Sequence, residues 1–233
     1  MTKSRFLLLA IIIAAAVCIR LIPYVLGALG LTDVRQFAGF LWNFSPIMAL
    51  YLFTGARFPE RRWAYGAPLA AMLFSDVAIG LFLGDMRMGL HPMIPVIYGS
   101  YALIIWSGAL LRKLQQRMMD QNRETQGRPL NQPILSGLLF LGAVAGAGIA
   151  GELAFFIVTN FANWVVQTGY YPHTLDGLMQ CYVAGIPFFK NAVESTPLYG
   201  VVLFGCSALA EAWFPALKPG PVEIAKSEQA LLA

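Results

Sequence analysis

The residues best able to do chemistry in this chain sit inside its least polar stretches. Glu152 lies in the run GELAFFIVTNFAN, residues 151–163, within an almost wholly apolar segment that begins near Ile134. A carboxylate at the centre of a hydrocarbon layer costs roughly 2.5–3.5 kcal/mol on insertion scales, so such a group faces protein, water or ligand. The same segment goes on to Thr159, Asn160, Asn163 and Trp164, then to a polar aromatic turn, Gly169-Tyr170-Tyr171-Pro172-His173-Thr174. Asn160 and Asn163 are one helical turn apart, share a face and need partners for their amides. The candidate ligand-binding set is therefore Glu152, Asn160, Asn163, Trp164, Tyr170, Tyr171 and His173, joined by Asn43 and His91 from other outer turns. Their chemistry is recognition of a small solute.

Bond-breaking chemistry finds little support. Ser45 and Ser75 have no base beside them in sequence, and no phosphate-cradling loop, Gly-x-Ser-x-Gly or His-Glu-x-x-His motif occurs. The two histidines have no ligand spacing with Asp76 or Glu152, so neither a metal nor another cofactor is expected. Cys18, Cys181 and Cys206 share no metal-like spacing either, and Cys18 and Cys206 read as small hydrophobes in apolar runs.

These residues must be positioned by membrane-spanning helices. The chain is 58% hydrophobic and only 12% charged, against about 25% charged in soluble domains. Its 233 residues suit six spans of roughly 20 residues with loops. The reading is an all-α, six-span bundle over residues 1–217, followed by a polar cytoplasmic tail, 218–233. The spans are expected at 6–29, 44–56 (short), 64–83, 93–111, 134–166 and 197–214. The stretch 175–189 reads as an additional half-helix or interfacial helix. Residues 112–132 read as a solvated loop, with a helical extension of the fourth span as one option. The net charge of +4 reflects loop asymmetry, since no basic run has the interleaved aromatics or recognition motif of a nucleic-acid binder.

Loop charge sets the orientation. Lys3 and Arg5, then Arg57, Arg61 and Arg62, then Arg112, Lys113, Arg117, Arg123 and Arg128 all fall on one side. On the other side, Asp33, Asp85, Asp176 and Glu194 match or outnumber Arg35, Arg87 and Lys190. Both termini are therefore expected in the cytoplasm. At ~1.5 Å per helical residue, Arg20, Asp76 and Glu152 then fall in roughly one layer, slightly outward of the membrane middle. An internal ion pair would leave one acid over. Asp76 is the expected structural partner of Arg20, because their depths match more closely, and Glu152 is the surplus acid facing a ligand.

Several phrases resemble a family of uncharacterised bacterial membrane proteins described as transport proteins. They are Arg20-Leu21-Ile22-Pro23, then Asn43-Phe44-Ser45-Pro46-Ile47-Met48-Ala49-Leu50 with Leu52-Phe53-Thr54-Gly55-Ala56. Ser75-Asp76, Thr159-Asn160-Phe161, Trp164, Tyr171-Pro172, Gly177-Leu178, Ile186-Pro187-Phe188-Phe189 and Asn191 follow. More distantly, the chain is similar to the substrate-binding S components of energy-coupling-factor (ECF) vitamin transporters. That resemblance implies six spans, cytoplasmic termini, an outward-facing pocket and residence in the bacterial inner membrane. It also implies a transmembrane coupling subunit and ATPases on other chains. The arginine-proline phrase and the asparagine motif adjoin in the family, whereas Tyr24–Trp42 separates them here.

The leading expectation is thus a non-enzymatic, S-component-like subunit that binds a small, partly polar solute, a vitamin-like one among the options. Ala14, Ala15 and Ala16 would dock a coupling subunit, because small side chains let helix backbones approach. The alternative is a non-transporting accessory subunit of a larger membrane complex. An intramembrane enzyme ranks third, for want of a nucleophile–base pair.

Overall fold

The computed structural model describes residues 2–30, 44–124, 132–166 and 169–218, and these form an all-helical bundle. Helix α1 (Lys3–Ala28) opens on Thr2, whose hydroxyl accepts the Arg5 amide and so satisfies one of the free donors of the first turn. Helix α2 is short (Ile47–Arg57). A π turn (Arg62–Gly66) leads into α3 (Ala67–Leu83), which stops at the left-handed Gly84. The one-turn α4 (Met86–Gly89) precedes α5 (Ile94–Glu124), and α6 (Gln132–Val166) and α7 (Leu175–Trp213) follow.

Among the described residues, five helical segments are long and apolar enough to cross a membrane: Lys3–Ala28, Arg62–Leu83, Met86–Asp120, Ile134–Val166 and Leu175–Trp213. Large apolar side chains such as Leu7, Leu81, Leu103, Leu138, Leu153 and Leu209 are exposed along their outer faces. A bilayer would cover such a surface, whereas a soluble domain rarely presents it.

The expected second span is α2, and it differs from the other five. Its 11 residues reach only about 16 Å, roughly half of a 30 Å hydrocarbon core. Residues Ile47 to Ala56 are nevertheless all buried. The helix touches α1, α3, α5, α6 and α7, so it fills the centre of the bundle. Its tightest neighbour is α5. A Cβ on Gly55 would lie 1.9 Å from the Ile105 carbonyl oxygen, and one on Gly108 would lie 2.3 Å from that of Leu52. Only glycine at both places lets the two backbones meet.

The region 175–189 is not a separate half-helix. It is the N-terminal part of α7, which runs unbroken for 39 residues with Pro187 and Pro197 inside it. Helix α6 supports it along its length through Asn163 against Cys181, Phe156 against Phe189 and Phe140 against Phe204. Neighbouring helices of this kind let proline stay within a membrane helix. The fourth span likewise continues, as α5, to Glu124. Residues 219–233, nearly all of the expected tail, lie outside the described residues.

Candidate functional site

Among the described residues, two of the polar arrangements inside the bundle involve the expected Arg20, Asp76 and Glu152. In the first, Arg20 on α1 meets Asp76 on α3 at 2.6 Å and also donates to Ser75. The hydroxyl of Tyr98 on α5 donates to the second Asp76 oxygen at 2.8 Å. Tyr101, one turn further along α5, lies against both Tyr98 and Tyr51, with ring centroids 5.9 and 4.6 Å apart. Tyr51 comes from α2 and is fully buried, and among the described residues its hydroxyl has no hydrogen-bond partner. Side chains from α1 and α5 thus meet one acid of α3, with the tyrosine of the central plug packed beside them.

The second arrangement lies between α6 and α7. A cavity of about 180 Å³ is lined by Glu152, Phe155, Phe156, Thr159, Asn160, Gly185, Phe188, Phe189 and Ala192. Glu152 is 4% exposed. One of its oxygens accepts the Thr196 hydroxyl at 2.5 Å, and among the described residues no basic side chain pairs with it. Gly185 is the cradle wall: a Cβ there would lie 2.6 Å from Asn160 Oδ1 and 2.9 Å from the Phe156 ring. The arrangements meet at Phe155, which stacks on Tyr101 at 5.4 Å with planes 3° apart.

The remaining sequence candidates distribute differently. Glu152 and Asn160 share the cavity, while Asn163 donates to Cys181 Sγ at 3.6 Å further along α6. Trp164 and His173 close the α6–α7 turn on themselves. The indole donates to the Pro172 carbonyl at 3.0 Å, and the His173 ring contacts the Trp164 carbonyl at 2.9 Å. Tyr170, Tyr171 and His173 line a separate hollow at this tip, with Trp164 about 18 Å beyond Glu152 along the helix. His91 accepts the Met93 amide at the start of α5, a capping role. Asn43 lies outside the described residues. Of the alanine patch, Ala14 and Ala15 face outward, whereas Ala16 is buried in the bundle's own core.

Residues 1–217 match DUF6580, described as a family of unknown function. The chain belongs to DUF6580. No curated protein and no solved structure matches it. The resemblance to ECF S components therefore gains no named relative, and what can be said of this DUF6580 chain rests on its own geometry.

Sequence reasoning missed Tyr51, Tyr98, Tyr101, Thr196 and the phenylalanine lining of the cavity. A signal existed for the tyrosines: Tyr98 and Tyr101 are three residues apart in an apolar span, and a buried phenol normally finds a partner. Thr196 gave none, since its nearness to Glu152 depends on how α6 and α7 align.

Proposed function

We propose that this DUF6580 chain is a membrane transport component, a substrate-binding subunit similar in plan to ECF S components, whose solute site is the cavity between α6 and α7. One observation carries the reading: a buried carboxylate with no basic partner among the described residues opens on a hollow lined by four phenylalanines and an amide. Ligand sites combine a largely apolar lining with a few placed polar groups, and this cavity has that composition. The Arg20–Asp76 pair serves as scaffold in this reading, and Glu152 as the solute contact.

The finer plan is part of the same proposal. The short α2 counts as the sixth membrane segment, both termini are cytoplasmic, and the protein resides in the bacterial inner membrane. A coupling subunit docks on the outward face at Ala14 and Ala15, and ATPases on other chains supply energy.

Native mass spectrometry of the detergent-purified chain tests the reading. The wild type should retain a small molecule, and Gly185→Leu, which fills the cavity, should release it. Retention by both proteins, or by neither, would count against this cavity as the site. The accessory-subunit reading draws support from Gly142 and Gly146, which face open space on α6, since small residues of this kind favour contact with another helix.

A further inference from the structure

Resting on that reading, we propose that the cavity between α6 and α7 selects an organic cation, a small protonated or methylated ammonium compound. The argument is an inventory of donors and acceptors. The Thr159 hydroxyl donates to the Phe155 carbonyl at 2.7 Å, and the Asn160 amide donates to the Phe156 carbonyl at 2.8 Å. The Thr196 hydroxyl is given to Glu152. These hydroxyl protons and one amide proton are thus taken up by the protein. The lining has no lysine, arginine or histidine, so it offers an anion no charged donor.

Acceptors and electron-rich faces remain. Glu152 brings a carboxylate, Asn160 turns its Oδ1 toward Gly185, and Phe155, Phe156, Phe188 and Phe189 surround them. Phe156 and Phe189 pack on each other with centroids 4.7 Å apart, and Phe155 gives one face to Tyr101, so a ligand meets the remaining faces of these rings. Aromatic faces attract ammonium groups through their quadrupoles, most strongly away from water. A carboxylate beneath such rings supplies the full counter-charge that a desolvated cation needs. Lys190, adjacent in sequence to Phe189, is exposed and makes no ion pair with Glu152.

Size narrows the class. The cavity of about 180 Å³ is smaller than the ~300–1,000 Å³ pockets that take drug-sized ligands, so it suits a small headgroup. A quaternary ammonium fits, and a large fused-ring cation would have to extend beyond the lining.

The test uses three probes of nearly one shape on the full-length purified protein: choline, its neutral carbon isostere 3,3-dimethylbutan-1-ol, and the anion 3,3-dimethylbutanoate. Calorimetric titration should find choline bound and the other two at least tenfold weaker. Glu152→Gln should weaken choline by about 10- to 100-fold, as loss of a charge-assisted contact implies. Phe189→Leu should weaken it by about 2- to 10-fold. Melting curves of each variant establish that it is folded before its affinity is compared. Equal binding of choline and the neutral isostere, abolished by Gly185→Leu, would overturn the cation assignment and leave the cavity as the site. Equal choline affinity in wild type and a folded Glu152→Gln would overturn it as well. Binding of none of the three overturns it too, and if Gly185→Leu also fails to release a retained molecule, the solute-site reading falls with it.

Discussion

Tyr98 on α5 donates its hydroxyl to Asp76 on α3 at 2.8 Å and so fastens α5 to an acid already held by Arg20 of α1. Tyr51 is buried beside them without such a bond. Phenylalanine should therefore act differently at the two positions. Tyr98→Phe removes a hydrogen bond to a carboxylate and should cost about 1.5–3 kcal/mol. Tyr51→Phe removes an unsatisfied hydroxyl and should be neutral or stabilising. Thermal unfolding in one detergent compares them, and equal losses would mean that the Tyr51 hydroxyl has a function in the folded protein.

The two buried acids should also separate. Asp76→Asn leaves Arg20 without its counter-charge, and breaking a buried pair from one side costs about 3–5 kcal/mol. Arg20 retains 20% side-chain exposure, which places the expected loss at the lower end. Glu152→Gln breaks no pair with a base and keeps an acceptor for Thr196, so its melting temperature should stay near wild type. A larger loss in Glu152→Gln than in Asp76→Asn would reverse the two assigned roles.

Glycines in this bundle are not equivalent. Gly108→Ala drives a methyl into the Leu52 carbonyl and must push α2 from α5, which should cost about 3 kcal/mol or more. Gly142→Ala and Gly146→Ala meet nothing within 4 Å. They should be neutral or should stabilise by up to ~1 kcal/mol through helix propensity. Melting temperatures of the three variants decide this, and a neutral Gly108→Ala would contradict the close approach of α2 to α5.

Topology has a direct measurement. With Cys18, Cys181 and Cys206 replaced, Tyr170→Cys should react with an impermeant thiol reagent added to intact cells. Lys113→Cys should react only after the membrane is opened. Labelling of position 113 from outside would invert the proposed orientation and exchange the two faces of the bundle.

The long helices were legible because apolar runs of this length have few alternatives, and loop charge suggested an orientation for them. Arg20 and Asp76 were legible as a pair because helical rise converts sequence position into depth. Where α7 begins was not legible, since polar residues around Lys190 and Asn191 and the proline at 187 look like a boundary until α6 is seen alongside. The cavity was half legible. Glu152 and Asn160 lie two turns apart on one helix and could be read together, but Phe188, Phe189 and Gly185 face them only through the register between α6 and α7. Trp164 and His173 carried ligand-like chemistry, yet they bond to backbone carbonyls at their own turn, an outcome set by a loop geometry that composition does not encode.

The short α2 has a consequence for how the molecule is made. An isolated helix of this length is marginal in water and too short to span a bilayer unaided, and four of the helices that contact it, α3, α5, α6 and α7, emerge later in synthesis. The middle of the bundle is therefore expected to be completed only after its walls have been made. Chains truncated at Val166 and released should leave Ile47–Arg57 open to protease, and released chains extended through Trp213 should protect it.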